Sequence, residues 1–499
     1  MKVLFVYPDF PAHVDSIRRF GFYSEGLASL SAVLKNDGHN VSLYHLTGPA
    51  NEQDFKAKIE EEQPDLIAFT VRTTIFPYVK EYLKWSKSTS NALTVCGGYH
   101  PTIAPEETVN TEGVDVVAIG EGEGALQELC EKIEKKESFD YVANLWVKKE
   151  DTIIRNPVRP LIEDLDALPL PDFALFDYEK LESSTINTAS AMLSRGCPYS
   201  CTYCCNHKIR EVYPNPQKYA RFRSPDRSIE YLKKILDEYP FIKYINFMDN
   251  ILPMRRSWFF EFIDLYKREI DLPFSCNFRV NLVKEDVVKA LKDAKCFQVR
   301  FGVESGDDFI RNTILKRKIS RQDMVEALRA CRDLGISTLS YNMVGLPHED
   351  LPKALETIKL NAEMMTTRVV VSVFYPYPNT EAYDMSVKDG FIEPTFDYRE
   401  DVALKQDKFG KEAVNFVATY FETFMKLYKF SNRMPKAISK RMEMMLDRLF
   451  CSRLLPRYFL VKVADVRDRY IEKAKTALKK RLPGFYLFLR DKLLRTTNS

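Results

Sequence analysis

Three cysteines, Cys197, Cys201 and Cys204, stand together in Ser194-Arg195-Gly196-Cys197-Pro198-Tyr199-Ser200-Cys201-Thr202-Tyr203-Cys204, a C-x-x-x-C-x-x-C run. Thiolates are the ligands of iron–sulfur clusters, and a cubane ligated wholly by cysteine takes four of them. Three thiolates hold three irons and leave the fourth open to a ligand that reacts there. The same cysteines with His207 make a Cys₃His set at zinc-like spacing, so a structural zinc site is the rival reading. Cys205 abuts the third cysteine and breaks the spacing, which makes it a bystander. The run follows a short apolar stretch, 189–193, that reads as a strand. The cysteines therefore lie on a loop leaving a strand, where parallel α/β folds keep their chemistry.

Further strand-like stretches follow at 244–248, 274–278, 298–303, 338–344 and 369–374, with helical periodicity between them. Each ends in residues able to bind or react. Asp249 and Asn250 follow the first of these stretches, Arg279 and Asn281 the second, and Glu304-Ser305-Gly306 the third. Gly345-Leu346-Pro347 follows the fourth, and Tyr375 to Thr380, with Asn379, the last. Strands alternating with helices in this way predict a partial β/α (TIM-like) barrel, whose reactive face is built from the strand ends. The plainer alternatives are ion pairing for Asp249 and Arg279 and helix capping for Ser305.

Residues 1–145 carry a separate alternation. Strands are predicted at 3–7, 40–45, 65–71, 92–96 and 114–119, and a helix at 26–35 stops at Asp37-Gly38. This predicts a doubly wound, Rossmann-like parallel sheet, which binds ligands at the carboxyl ends of its strands. Gly97, Gly98, Gly120 and Gly122 fall at such ends and would let backbone approach a large flat ligand, or would serve as ordinary turn residues.

At 499 residues the chain suggests roughly three domains of about 150 residues each. With 45% hydrophobic and 29% charged residues it is a globular composition. The amino-terminal apolar run is too short for a signal peptide, and no window is apolar for the span of a membrane helix. Ten cysteines with one tight trio point to a reducing compartment and a metal site rather than a disulfide framework. A cytoplasmic location is expected. The stretch 156–176, with Pro157, Pro160, Pro169 and Pro171, reads as an extended connector.

The formal net charge of +3 is unevenly placed: residues 433–499 hold 18 Lys+Arg against 6 Asp+Glu. Residues 396–499 read as mostly helical, and 473–494 mix Leu, Phe and Tyr with Lys and Arg around Pro483-Gly484. Such a segment either rests on an anionic membrane surface or presents a solvated basic face over a helical cap, the latter being the plainer reading. No aromatic-basic constellation makes nucleic acid a partner.

The cysteine run resembles that of the radical S-adenosylmethionine (SAM) superfamily. The resemblance implies a [4Fe-4S] cluster on Cys197, Cys201 and Cys204 whose open iron binds SAM, cleaved by one electron to a 5′-deoxyadenosyl radical. It also implies an external donor such as flavodoxin or ferredoxin. Tyr203 resembles the family residue packed near the adenine. Gly302-Val303-Glu304-Ser305-Gly306 is similar to the fourth-strand motif near the ribose and methionine. Asp249 and Arg279 resemble positions lining the same site, and Gly345 one that relieves crowding near the adenine. Asn379 stands where relatives often carry glycine.

The first third resembles the cobalamin-binding domain that precedes many such enzymes. The likeness rests on Gly26-Leu27, Leu30 to Gly38-His39, Pro64-Asp65, Gly97-Gly98-Tyr99-His100-Pro101-Thr102 and Gly120-Glu121-Gly122-Glu123. The D-x-H-x-x-G signature of a cobalt-ligating histidine is absent. Asp9-Phe10-Pro11-Ala12-His13 has the wrong spacing, and His100 reads as a loop contact. The resemblance divides the chain into a cobalamin-binding-like domain (1–145), a linker (146–185), a radical SAM barrel (186–395) and a helical basic carboxyl-terminal region (396–499). It is similar to a class B, cobalamin-dependent radical SAM methyltransferase acting on an unactivated carbon of a small-molecule or lipid substrate. The alternatives are an oxidative cyclase or C–C bond-forming enzyme, and a zinc-stabilised binding protein. The absence of a second cysteine cluster argues against the auxiliary-cluster and methylthiotransferase subfamilies.

Overall fold

The computed structural model describes residues 1–11, 21–150, 152–393, 396, 398–400, 402–482, 484 and 486. They fall into two compact units, one of residues 1–250, 377–384 and 397–401, the other of 251–376, 385–396 and 402–499.

The first unit opens with β1 (Lys2–Pro8), α1 (Glu25–Asn36), β2 (Asn40–Leu46), α2 (Glu52–Glu62), β3 (Leu66–Thr70), α3 (Phe76–Thr89) and β4 (Leu93–Gly97). The short helices α4 (Tyr99–Ile103) and α5 (Pro105–Val109), β5 (Val116–Ala118) and α6 (Glu123–Glu134) complete the alternation. The strands order as β2-β1-β3-β4-β5 and run parallel. Val3, Leu4, Phe5 and Val6 are all buried, the continuous apolar run of a strand covered on both faces. Ser24 and Asn51 accept hydrogen bonds from the first turns of α1 and α2, so both helices start where a side chain satisfies their free N–H groups.

The sheet runs past residue 145. Leu145–Lys149 (β6) and Thr152–Arg155 (β7) form an antiparallel hairpin on β5, in what the sequence reads as the start of the linker. In this edge hairpin buried Leu145 and Val147 alternate with half-exposed Trp146 and Lys148, and Lys149, Thr152 and Arg155 are exposed, so it lacks the apolar run that marks the inner strands.

Beyond a connector of single turns come β8 (Thr188–Ala191), β9 (Ser194–Arg195), α7 (Cys205–Glu211), β10 (Arg221–Phe222), α8 (Pro225–Glu238) and β11 (Tyr244–Phe247). β8 and β11 pair in parallel; β9 and β10 pair antiparallel, Arg195 opposite Arg221. The strand expected over 189–193 thus ends at Ala191, and a second short strand leads into the cysteine loop.

The second unit holds α9 (Arg256–Glu269), β12 (Phe274–Phe278), α10 (Glu285–Asp293), β13 (Cys296–Glu304), α11 (Arg321–Asp333), β14 (Ser337–Val344), α12 (Leu351–Glu363) and β15 (Arg368–Val373). β12 to β15 are consecutive parallel neighbours, with a register shift between Gly302 and Glu304. After α13 (Glu381–Lys388), the described residues form three further helices, α14 (Lys411–Asn432), α15 (Lys436–Cys451) and α16 (Arg457–Arg481). α14 buries Val414, Val417, Phe421 and Met425 against Leu355 and Ile358 of α12 and Leu446 and Phe450 of α15. Among the described residues no helix is long and apolar enough to cross a membrane.

Candidate functional site

In the first unit the cysteine loop is held at both ends. Gly196, at φ +83°, turns the chain where an added Cβ would lie 2.2 Å from the Tyr219 carbonyl oxygen, so only glycine fits. Asp249, buried at the end of β11, accepts hydrogen bonds from the Leu193 N–H (3.0 Å) and the Ser194 hydroxyl (2.5 Å). Asn250 Nδ2 donates to the Gly196 carbonyl at 3.1 Å. Burial pushes the Asp249 carboxyl up from 3.8 to about 6, with these donors opposing it. Asp249 thus fixes the entry to the loop through the backbone.

Within the loop, the Arg210 guanidinium donates to the Pro198 carbonyl and the Ser200 hydroxyl, both at 2.7 Å. Cys204 N–H donates to the Cys201 carbonyl at 3.1 Å, and Cys204 precedes the first turn of α7. Cys201 is buried; Cys197, Cys204 and Tyr203 are half-buried; all ten cysteines are free thiols. Three soft donors on one short loop fit a cubane with one iron left open.

Among the described residues no group of three or more His, Cys, Asp or Glu is gathered at metal-binding distance, the three cysteines included. A single zinc would draw its sulfurs to about 2.3 Å from one centre. His207 is instead buried in α7, with neither ring nitrogen at a hydrogen-bond partner.

Arg195, two residues before Cys197, ties the loop to the first sheet. Its guanidinium donates to Glu121 Oε1 (3.0 Å), Glu123 Oε1 (2.6 Å) and the Ser29 hydroxyl (3.1 Å). Arg221, opposite it on β10, donates to both oxygens of Glu121 at 2.8 and 3.1 Å and to the Ile162 carbonyl at 2.6 Å. Burial alone would lower the Arg195 pKa; Glu123 and Glu121 override it and hold the group charged. Burial likewise would raise Glu123, and Arg195 with Ser29 brings it below the usual carboxylate range. Beside this pair Arg223 meets Glu25 at 3.4 Å. Glu25 also accepts from the Tyr23 and Tyr231 hydroxyls at 3.0 and 2.9 Å. Burial raises Glu25 despite these partners. Sequence reasoning saw Gly120-Glu121-Gly122-Glu123 for its glycines; two carboxylates that fold into the interior demand cations, and Arg195 beside the cysteines was the matching signal.

The first sheet's loops meet the cysteine helix directly. α4 packs on α7. Ile103, Leu161, Ile209, Tyr213 and Tyr219 form one buried cluster that also touches Cys205 and Tyr377. Gly120, at φ +79°, leaves 2.7 Å between a would-be Cβ and the Tyr213 hydroxyl oxygen. Gly122 backs onto Leu30, and Gly98 onto Val71, while a Cβ on Gly97 would make only ordinary contact with Ala118. Gly120 is therefore required by protein packing, whereas at Gly122 the Leu30 methyl would need to give only a few tenths of an ångström. Asn379 takes the left-handed conformation a glycine would (φ +60°), and its side chain donates to the Ile103 carbonyl at 2.6 Å.

The order β2-β1-β3 puts the topological switch point between β1 and β3, where such sheets open a crevice. Asp9 and Arg72 stand at those strand ends, 3.7 Å apart. His45 Nε2 lies 3.2 Å from Asp9, and its ring stacks on Tyr7 at 4.8 Å. His100 is buried, 4.1 Å from the Phe76 ring centroid and 3.3 Å from the Thr73 hydroxyl; burial pushes it down to about 3, so it stays neutral. His39 lies 3.4 Å from Glu134. His45 Nε2 and His100 Nδ1 meet protein side chains while His100 Nε2 has no hydrogen-bond partner among the described residues, and neither ring stands in the D-x-H-x-x-G signature, so a cobalamin here fits without the signature imidazole. His13 lies outside the described residues.

In the second unit Glu304 and Arg279 meet at Arg317. Its guanidinium donates to Glu304 Oε1 (3.0 Å) and the Gly302 carbonyl (2.5 Å), and Arg279 donates to the Arg317 carbonyl at 2.7 Å. Glu304 sits at the register shift with φ +65°. The Ser305 carbonyl accepts from the buried Arg311 at 3.1 Å. Gly345 (φ +79°) donates through its N–H to Glu349 at 2.7 Å, and burial pushes Glu349 up to about 8. Arg317 and Glu349 were not singled out from the sequence: Arg317 acts on backbone fifteen residues away, and Glu349, which also accepts from the Leu346 N–H at 3.1 Å, is a local turn contact whose burial the sequence does not show.

Comparison with known proteins accords with this geometry. The profile of the Radical SAM superfamily matches residues 192–360, and that of the B12 binding domain matches 20–130. The chain is 27% identical to an uncharacterized methyltransferase of Pyrococcus horikoshii, over 83% of this chain and 90% of that one. It is 25% identical to the anaerobic magnesium-protoporphyrin IX monomethyl ester cyclase of Cereibacter sphaeroides, over 79% and 66%. It is also 25% identical to the hopanoid C-3 methylase of Methylococcus capsulatus, over 72% and 67%. Among solved structures, the radical SAM methyltransferase TsrM of Kitasatospora setae, with cobalamin and [4Fe-4S] cluster bound, superposes with a TM-score of 0.64 at 16% identity, over 82% of this chain and 83% of that one. The cobalamin-dependent radical enzyme OxsB with aqua-cobalamin gives 0.65 at 16%, over 99% and 75%. The fold is thus α/β, with an amino-terminal B12-binding domain, a partial β/α barrel and carboxyl-terminal helices.

Proposed function

We propose that this chain, which belongs to the radical SAM enzymes that carry a B12-binding domain, is a cobalamin-dependent methyltransferase acting on an unactivated carbon. The observation that carries the reading is the Arg195–Glu121–Glu123 network. It joins the B12-domain loop to the strand that delivers Cys197 within one unit. Two cofactors that must act on one substrate need their loops in fixed register.

Cys197, Cys201 and Cys204 would hold the cluster. Bound there with SAM it supplies carbon-radical chemistry, and cobalamin supplies a methyl carrier. Asp249 sets the cysteine loop, and Tyr203 would pack beside the adenine. Gly345 would relieve crowding near the adenine, and Arg279, Glu304 and Ser305 would receive the rest of SAM, Glu304 being oriented by Arg317. Cobalamin would lie at the carboxyl ends of the first sheet, on backbone at Gly97 and Gly98 and on Asp9 and Arg72. Gly120 and Gly122 would present backbone of the adjoining loop to the same ligand, Gly120 also leaving room for Tyr213. The substrate is a small molecule or a lipid, and the electron comes from an external donor of flavodoxin or ferredoxin type.

A second reading, an oxidative cyclase, draws on the 25% identity to the protoporphyrin ester cyclase. The test is anaerobic purification with hydroxocobalamin, with iron, sulfide, cobalt and zinc measured against protein. About four irons and one cobalt per chain support the methyltransferase. Iron without cobalt favours the cyclase. Zinc without iron, after reconstitution, refutes both.

A further inference from the structure

We propose that α15 and α16 form a docking face for an anionic lipid bilayer, independently of which reaction the enzyme performs. Both helices are apolar on two sides. Inward, Leu446 and Phe450 of α15 and Ala464 of α16 are buried, and Leu460 and Val461 pack on the same core. Outward, α16 exposes Phe459 (63%), Val463 (49%), Val466 (48%) and Tyr470 (70%). At 3.6 residues per turn these four fall within an arc of about 60°. α15 repeats the pattern: Ile438 (54%), Met445 (61%) and Leu449 (47%) share one narrow arc, and Leu454, between the helices, is 93% exposed. Among the described residues the second unit's core does not include these side chains, and apolar exposure along one stripe of a helix in this way marks an interaction surface.

The charge beside the stripes selects the occupant. Arg441 and Arg448 flank the α15 stripe, and Lys462, Arg469 and Lys473 flank the α16 stripe, all exposed. Residues 433–499 hold 18 Lys+Arg against 6 Asp+Glu, an excess larger than the +3 of the whole chain. A second copy would bring the same sign to the interface and be repelled. An apolar stripe edged by Lys and Arg is the pattern of a helix lying in the interfacial plane of an anionic membrane. The stripes span the surface of helices already anchored to α14, so they are preformed and lose little order on docking.

The experiment is flotation of the full chain, purified anaerobically with its cofactors, on vesicles of phosphatidylcholine with and without about one-third phosphatidylserine, at low and high salt. The chain is expected to float with the anionic vesicles, to be released by salt and to stay behind with neutral ones. The double variant Phe459→Ser/Val463→Ser should weaken binding about tenfold or more, because it removes buried apolar area. Lys462→Glu/Arg469→Glu changes only exposed side chains and should do the same through charge. Iron content and the circular dichroism of each variant establish that it is folded. No flotation on anionic vesicles, as expected were the face to bind an acidic protein instead, overturns the proposal. So does equal flotation on neutral vesicles, or flotation unchanged in both variants.

Discussion

Replacing Arg195 by methionine tests how the cysteine loop is fixed. The substitution keeps the apolar stem and removes the guanidinium. Glu121 would still have Arg221, at 2.8 Å, but Glu123 would keep only the Ser29 hydroxyl at 2.8 Å. The Glu123 side chain is 6% exposed, so at neutral pH a nearly dry carboxylate would lack a cation. Breaking a buried pair from one side is worth about 3 kcal/mol. For a unit of this size that is a fall of roughly 6–12 °C in apparent Tm. The pH dependence carries the sign. In the wild type Glu123 is held below the usual range, so its contribution is present above the unfolded pKa and is lost as pH falls through the folded one. In the variant burial, the largest influence on Glu123, is opposed only by the Ser29 hydroxyl and a backbone N–H and raises it, so the variant loses stability as pH rises. The gap between the two proteins should therefore widen between pH 5 and pH 8. Arg195→Met/Glu123→Gln should recover part of the loss, and Arg195→Lys, which reaches one carboxylate, should fall between. The assay is thermal unfolding of the iron-loaded chain across that range, with the electron paramagnetic resonance of the reduced cluster recorded with and without SAM. A cluster whose spectrum with SAM matches wild type, an unchanged Tm at pH 8, or a double variant no better than the single one would refute the reasoning.

Single replacement of Cys197, Cys201 or Cys204 by alanine should abolish iron retention and SAM cleavage, whereas Cys205→Ser and His207→Gln should leave iron bound; metal analysis decides. Asp249→Asn keeps an oxygen for the Leu193 N–H and the Ser194 hydroxyl and should be tolerated, while Asp249→Ala should lower stability by about 2 kcal/mol by releasing those donors. Because the Asp249 pKa is raised from 3.8 to about 6, its stabilising, protonated contribution is present at low pH and lost as pH rises across that window; Asp249→Asn should flatten it in unfolding curves. Gly120→Ala places a methyl 2.7 Å from the Tyr213 hydroxyl oxygen at a positive φ, and should cost about 1–3 kcal/mol, partly regained in Gly120→Ala/Tyr213→Phe.

The elements that carry continuous apolar runs were legible in the sequence, and so were the cysteines, because both signals are local. β1 reads as a buried strand from Val3 to Val6 alone. The hairpin β6–β7 was not legible as part of the first sheet, since an edge needs only one covered face and its Lys148, Lys149 and Arg155 break the pattern. The glycines were legible as turns but not in their purpose: Gly120 admits a tyrosine hydroxyl, which no local pattern reveals. Arg317 serves backbone at Gly302, fifteen residues away and fixed only once the chain has packed, whereas Glu349 caps the Gly345-Leu346 turn locally, a role its burial rather than its spacing reveals.

A buried ion network contributes little to stability over well-packed apolar residues, but it tolerates one arrangement of its parts. The cluster of Ile103, Tyr213 and Tyr219 beside the cysteine loop could slide by a fraction of a side chain at small loss, as non-directional contacts allow. Arg195 and Arg221 cannot: four hydrogen bonds to the carboxylates of Glu121 and Glu123 set both the height and the rotation of β9 against the B12-domain loop. Because Arg195 and Cys197 are separated by a single glycine that only one conformation suits, that register is passed to the first cluster ligand with little play. The desolvation of four charges is then the cost of holding two cofactor loops in one geometry, which is the requirement that radical transfer between separately bound groups imposes.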